Sequence, residues 1–348
     1  MTRFRLLPLL VAVATLGGCE QWLMSPDPSS GAEATFDYFC RCVDEHYSLF
    51  DVKSYDWDSA CRAVRPAVWD GMRDEELFRL MADMLDPLED GHVNLYADFD
   101  ISHSQTLYRR MKEGHNFNAD VVQATYLGYD YHTTGGFAHN VVRDGKVIYA
   151  RYSSFVNSAT ATQVATLVDA YPEAEGLVID MRQNGGGAVQ NVWNLLRMLP
   201  NEKPMLYRTQ IKSGSGRDEF STVEEVFAPD ADPNHAWYRH PVAVLLDRGS
   251  YSATSFFALA CLQLAAVTTL GDTTGGGLGM PATYDLPNGW RLRLSVTRTL
   301  TPEGVNYENG VPPEIVASLD PEALAAGRDN LIEQACDLVL SRAAARQP

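Results

Sequence analysis

The chain has 348 residues, 45% hydrophobic and 21% charged, the make-up of an ordinary globular protein of about two domains. That composition excludes a disordered chain, a coiled coil and a collagen-like repeat, and no apolar run reaches the ~18 residues a membrane-spanning helix needs. A formal charge of −17 argues against a nucleic-acid partner, whose phosphates it would repel.

At the amino end, Arg3 and Arg5 precede an apolar stretch from Leu6 to Leu16, the pattern of a secretory signal over residues 1–18. The sequence Leu16-Gly17-Gly18-Cys19 resembles the bacterial lipobox, whose cysteine thiol is diacylated. It predicts an exported lipoprotein held by lipid on Cys19 at the periplasmic face of an envelope membrane, with the outer membrane expected. Residues 19–32, rich in proline and serine, read as a tether. Five cysteines remain. Export permits a disulfide between Cys61 and either Cys40 or Cys42, and buried free thiols are the alternative. No Cys-x-x-Cys pair occurs and no histidine is spaced for zinc, so neither metal nor cofactor is expected.

Residues 33–96 read as a helical subdomain. Leu77, Leu80, Met81, Met84, Leu85 and Leu88 form a helical stripe, with Asp74 as its expected N-cap and Pro87 disturbing its last turn. Residues 97–146 have no clear periodicity. An α/β core is expected over 97–348, with strands at 146–152, 176–180, 242–246 and 267–270 and helices at 158–170, 189–199 and 253–265. Residues 290–296 alternate like a half-exposed strand, and 319–347 read as a solvated C-terminal helix.

Four segments carry residues suited to chemistry: Leu88–Leu95 with His92, Asp180–Gly187, Asp247–Thr254 with Ser252, and Tyr307–Glu314 with Glu308. A serine hydroxyl needs a base to take its proton. At a strand-to-helix turn its neighbours' unpaired N–H groups would face developing negative charge, and a glycine turn lets a second backbone donor approach. Each segment alone has an ordinary structural reading: a tight turn for Gly185–Gly187, an N-cap for Ser252, a helix-end cap for His92, a solvated acid for Glu308. His46, His103, His115, His132, His139, His235 and His240 have no motif support. Gly275–Gly277 lacks the lysine of a phosphate loop and reads as a loop packed near the site. Trp57 reads as core.

Taken in order, these segments resemble the C-terminal-processing (tail-specific) serine protease family, and within it the branch sharing its core with tricorn protease and the interphotoreceptor retinoid-binding protein. The likeness runs from about Glu33 to Ser318 and rests on Leu88–Leu95, Tyr149–Phe155, Asp180–Gly187, Tyr251–Ala253 with Gly271–Gly277, and Glu308–Glu314. The resemblance implies a crotonase-like (ββα) core and a peptide or protein substrate. It implies Ser252 as nucleophile, His92 as base, Glu308 orienting His92, and an oxyanion hole from Ala253 with Gly185 or Gly186. Two departures stand out. The Ser–Lys branch of the family places its lysine near position 277, which is Gly277 here, and no lysine follows Lys212. A PDZ domain needs roughly 80–90 residues, more than lie between His92 and Val147. Substrate capture is therefore expected from residues 97–146. The same fold could instead serve a non-proteolytic ligand-binding lipoprotein, or the same triad an esterase or amidase.

Overall fold

The computed structural model describes residues 30–346 apart from 114, 115, 200, 201, 236 and 237, so the signal segment and Cys19 lie outside the described residues, as does His115. Three helices come first: α1 (Ala32–His46), α2 (Trp57–Val64) and α3 (Asp74–Leu85). Asp56 caps α2 by accepting the Ser59 N–H. The N-cap position of α3 is Arg73 rather than Asp74; Asp74 lies in the first turn, where its charge meets the helix dipole without capping an amide. Pro87 sits in a 3₁₀ turn, Asp86–Leu88, that ends the helical run as expected. The cysteine alternatives resolve to a Cys40–Cys61 disulfide joining α1 to α2, while Cys42, Cys261 and Cys336 are free and buried. Trp57 is buried and donates its indole N–H to the Cys40 carbonyl.

After a short strand β1 (Asn94–Tyr96), residues 97–146 are more ordered than their sequence suggests. They form α4 (Gln105–Glu113), a π-helical turn at Val122–Leu127, β2 (His132–Thr134) and β3 (Phe137–Val142). The α/β core follows: β4 (Val147–Tyr152), α5 (Ala161–Asp169), β5 (Gly176–Asp180), α6 (Val189–Leu196), β6 (Met205–Ile211), β7 (Glu224–Phe227), β8 (Val242–Leu246), α7 (Ala253–Cys261) and β9 (Val267–Gly271). The chain then forms the hairpin β10 (Pro281–Asp285) and β11 (Arg291–Ser295), β12 (Thr297–Leu300), β13 (Ile315–Val316) and α8 (Asn330–Ala344).

The central sheet has seven strands in the order β13-β9-β8-β5-β4-β3-β2, parallel from β13 to β4 and antiparallel from β4 to β2. Because strand side chains alternate, a parallel strand covered on both faces reads as a continuous apolar run. Ile148, Ala150, Leu177, Ile179, Val242 and Val244 face α5, α6 and α7. Val147, Tyr149, Val178, Ala243 and Leu245 face α8. The expectation of a solvated C-terminal helix is thus corrected: Leu331, Ile332, Ala335, Cys336 and Val339 form a buried stripe against the sheet.

The α/β class is as expected. The helical segment, though, shares its core with the distant hairpin: Phe36, Phe39, Leu77 and Met81 pack with Trp290, Leu292 and Leu294. β1 also pairs with β11, Leu95 opposite Leu292. This junction carries the 88–95 segment to the edge of the α/β core.

Candidate active site

The sheet's parallel strands deliver two turns side by side. β8 leads through Asp247–Ser250 to Ser252, the N-cap of α7, whose backbone has φ 56° and ψ −117°. A non-glycine residue held at positive φ costs about 1–3 kcal/mol and needs clamps. Here the Ser252 N–H donates to the Gly276 carbonyl at 2.9 Å, and the Tyr251 N–H donates to the Asn184 carbonyl at 2.9 Å. The Thr254 hydroxyl donates to that same carbonyl at 2.9 Å. Gly275–Gly277 thus packs against the Ser252 turn.

The other turn follows β5. Its base is the buried Arg182, paired with Asp180 and, at 2.9 Å, with Asp329, which caps α8 by accepting the N–H groups of Leu331 and Ile332. Gly186 has φ 96°, and a Cβ there would lie 2.6 Å from the Tyr251 carbonyl oxygen and 2.8 Å from Ser252 Cβ. Only glycine permits that approach. The Gly186 N–H is engaged, donating to Asn184 Oδ1 at 3.0 Å. The N–H groups of Gly185 and Ala253 have no acceptor among the described residues. Of the two candidate glycines, Gly185 is therefore the one with a free donor.

His92 closes the site. Its Nε2 lies 3.0 Å from Ser252 Oγ, and its Nδ1 lies 2.8 Å from the Gly279 carbonyl oxygen. A carbonyl only accepts, so Nδ1 carries the proton and Nε2 is left to accept from the serine. The backbone below the ring is fixed as well. Gly91 donates its N–H to Tyr251 Oη at 3.0 Å, and the His92 N–H donates to Asp90 Oδ1 at 2.8 Å. A Cβ on Gly91 would lie 2.9 Å from Tyr251 Oη, which accounts for the glycine before the histidine. Burial holds the imidazole below its ordinary value. The nearby Arg293 charge lowers it further, while Asp90 and the Gly279 carbonyl oppose both.

Among the described residues Glu308 shares no hydrogen bond with His92. Its Oε2 accepts the N–H groups of Leu278 at 2.7 Å and Gly279 at 2.9 Å. The expected acid–base contact is thus indirect: the carboxyl group fixes the residue whose carbonyl fixes the ring. Burial, then the charge of Asp90, push the Glu308 carboxyl up to about 8, with the Lys53 charge opposing. Lys53, itself buried, donates to Asn309 Oδ1 at 2.8 Å. Asp90 Oδ2 accepts from Ser295 Oγ at 2.8 Å and from the Tyr47 hydroxyl at 3.2 Å. Asp90 is hence the carboxylate whose charge acts on the His92 imidazole. It lies inside the quoted Leu88–Leu95 segment, two residues before His92, and that spacing was the signal that could have identified it. Gly279 and Lys53 had none, since each acts through contacts between distant segments. Among the described residues no group of three or more His, Cys, Asp or Glu side chains is placed to hold a metal ion.

Comparison with known proteins bears on the family and the fold. The model of Peptidase family S41 matches residues 146–317, and that of the Tricorn protease C1 domain matches residues 31–86. A solved structure of a candidate peptidase from Parabacteroides merdae superposes with a TM-score of 0.84 and 32% identity, covering 91% of this chain and 99% of that one. The carboxy-terminal processing protease CtpB of Bacillus subtilis is 30% identical over 156 residues, 44% of this chain and 30% of the relative. The chloroplastic C-terminal processing peptidase of Tetradesmus obliquus is 30% identical over 200 residues, 57% of this chain and 39% of the relative. The matches to these two curated relatives thus cover well under half of their length.

Proposed function

The chain belongs to peptidase family S41, and on that premise we propose that it is a serine peptidase hydrolysing peptide bonds through an acyl-enzyme on Ser252. The observation that carries this reading is the 3.0 Å contact of Ser252 Oγ with an imidazole whose other nitrogen is committed to a carbonyl. In the reaction Ser252 Oγ attacks the scissile carbonyl carbon while its proton passes to His92 Nε2. The oxyanion is met by the free N–H groups of Ala253 and Gly185. His92 then hands its proton to the leaving amine, the C–N bond breaks, and water repeats the sequence on the ester. Asp90 supplies the charge that favours the transient imidazolium, and Glu308 keeps Gly279 in place.

The proposal extends to location. Leu16-Gly17-Gly18-Cys19 supports export, lipidation of Cys19 and residence at the periplasmic face of an envelope membrane, the outer membrane by expectation. A Cys19→Ser variant recovered in the same membrane fraction as the wild type would contradict that assignment.

The test of the chemistry is covalent labelling with a fluorophosphonate probe, beside Ser252→Ala and His92→Ala. Labelling of the wild type that is lost in both variants is expected. A well-folded wild type that stays unlabelled, or a Ser252→Ala variant that still labels, overturns the reading. Cleavage of esters but not of a peptide library would replace peptidase with esterase.

A further inference from the structure

Among the described residues two lysine or arginine side chains are buried, Arg182 and Lys53. Arg182 meets Asp180 and Asp329 beneath the glycine turn. Lys53, 8% exposed, stands in the loop between α1 and α2. Its ammonium is bonded to two neutral oxygens, the Glu89 carbonyl at 3.2 Å and Asn309 Oδ1 at 2.8 Å. Asn309 returns the contact, donating from Nδ2 to the Val52 carbonyl at 3.2 Å. Taking an ammonium out of water is costly, and neutral acceptors offset only part of that cost.

Both acceptors lie one step from groups that set His92. Glu89 opens the turn to Asp90, Gly91 and His92, and its backbone has φ 46° and ψ 45°. A non-glycine residue stays in that region only when its surroundings hold it. Arg110 pairs with the Glu89 side chain and Lys53 bonds its carbonyl. Asn309 follows Glu308, whose Oε2 holds the Gly279 N–H, and the Gly279 carbonyl meets His92 Nδ1. Among the described residues no hydrogen bond joins residues 89–92 directly to residues 308–310. One ammonium therefore spans the two segments that fix His92, the first through its backbone and the second through its ring.

We infer that Lys53 is a positioning residue for the proposed hydrolysis: its ammonium clamps the Glu89–His92 turn to the Glu308–Asn309 loop and so keeps His92 Nε2 in reach of Ser252 Oγ. The inference rests on the peptidase reading for its purpose and on the contacts alone for its geometry. Lys53 touches no reacting atom and moves no proton. It acts through Glu89 on one side and Asn309 on the other, and its charge stands against that of Glu308, whose rise it opposes.

Two variants test this. Lys53→Met keeps an aliphatic stem and removes both hydrogen bonds. Asn309→Ala removes one of them at an exposed position and leaves the charge in place. Measured on folded protein, fluorophosphonate labelling should slow about a hundredfold in Lys53→Met, the scale of a 1 Å misplacement of a catalytic group, and about tenfold in Asn309→Ala. The double variant should be no slower than Lys53→Met, because the two side chains act as one unit. A second readout needs no turnover. The His92 Nδ1 proton, held on the Gly279 carbonyl, should give an exchange-protected low-field NMR resonance that is missing from His92→Ala, and its exchange should quicken about tenfold in both variants. A lysine that serves stability alone would lower the melting midpoint and leave the rate and the resonance of the folded protein unchanged, which overturns the inference. Losses that multiply in the double variant overturn it as well. If Lys53→Met does not fold, Asn309→Ala decides alone, and its wild-type behaviour is fatal. A labelled wild type with unchanged variants sinks the clamp alone. Faster exchange in the variants of a protein that never labels sinks the peptidase reading alone.

Discussion

His92 Nδ1 faces the Gly279 carbonyl oxygen at 2.8 Å, where a carboxylate would be the usual third member of a serine–histidine set. The carbonyl fixes the tautomer as firmly as an acid would, because it too only accepts. It carries no full charge, so on the proposed mechanism stabilisation of the imidazolium falls to Asp90, held by the His92 amide, Ser295 and Tyr47. Orientation and charge compensation, often joined in one side chain, are here divided between Gly279 and Asp90.

Glu308→Gln retains an acceptor for the Leu278 and Gly279 amides, so it should keep fluorophosphonate labelling within a few-fold of wild type. Glu308→Ala frees that loop, and labelling should slow about a hundredfold, the scale of a 1 Å misplacement of a catalytic group. Equal labelling rates in the two variants would remove Glu308 from the positioning of the base.

The pH profile distinguishes the charges around His92. The base must be neutral, and its value is held below the ordinary 6.5, so kcat/KM should fall only on the acid side of that pH. Asp90 raises the imidazole value and Arg293 lowers it. Asp90→Asn should therefore move the acid limb to lower pH, and Arg293→Gln should move it to higher pH. Shifts in the same direction would contradict the arrangement.

Stability should carry the mark of Glu308. Its carboxyl rises from 4.5 to about 8 in the folded protein, so the native state binds the proton more tightly than the unfolded chain. The resulting contribution is complete below pH 4.5 and is lost as pH rises through about 8. The urea midpoint of the wild type should thus decline relative to that of Glu308→Gln between pH 5 and 8.5. Parallel curves would show that the group titrates alike in both states.

Gly186→Ala combines positive φ with a clash against the nucleophile turn. Gly145 offers a control, with φ 83° and nothing within 4 Å of a built Cβ. Both alanines should cost on the order of 1–3 kcal/mol in backbone strain. Only Gly186→Ala should also abolish labelling, because its methyl displaces Tyr251 and Ser252. Normal labelling by Gly186→Ala would mean that the two turns need not touch.

The parallel strands were legible because burial on both faces leaves apolar runs at 177–179 and 242–246, with the β-branched Val267, Thr268 and Thr269 marking the next strand. Ser252, His92 and the glycine turn were legible because their segments, each ordinary alone, stand in the order in which the processing-protease family carries them. The partner of His92 Nδ1 was not, since a backbone carbonyl has no residue type to read. Nor was the shared core of α1, α3 and the β10–β11 hairpin, which joins Phe36 and Met81 to Leu292 and Leu294 across some two hundred residues. The stripe of α8 was present in the sequence, with Leu331, Ala335 and Val339 four residues apart, but acidic neighbours masked it.

The pairing of β1 with β11, together with the hold of Glu308 on Gly279, also has a temporal side. Protein synthesis runs from the amino end, so Ser252 emerges while the segments that seat and steady His92 are still unmade. A nascent chain arrested at residue 275 has its nucleophile but lacks both the carbonyl at 279 and the strand that docks residue 94, and it should not react with the probe. On the proposed mechanism, synthesis past the β10–β11 hairpin and Glu308 is what switches the serine on, and a half-made molecule poses no hazard to the unfolded chains around it.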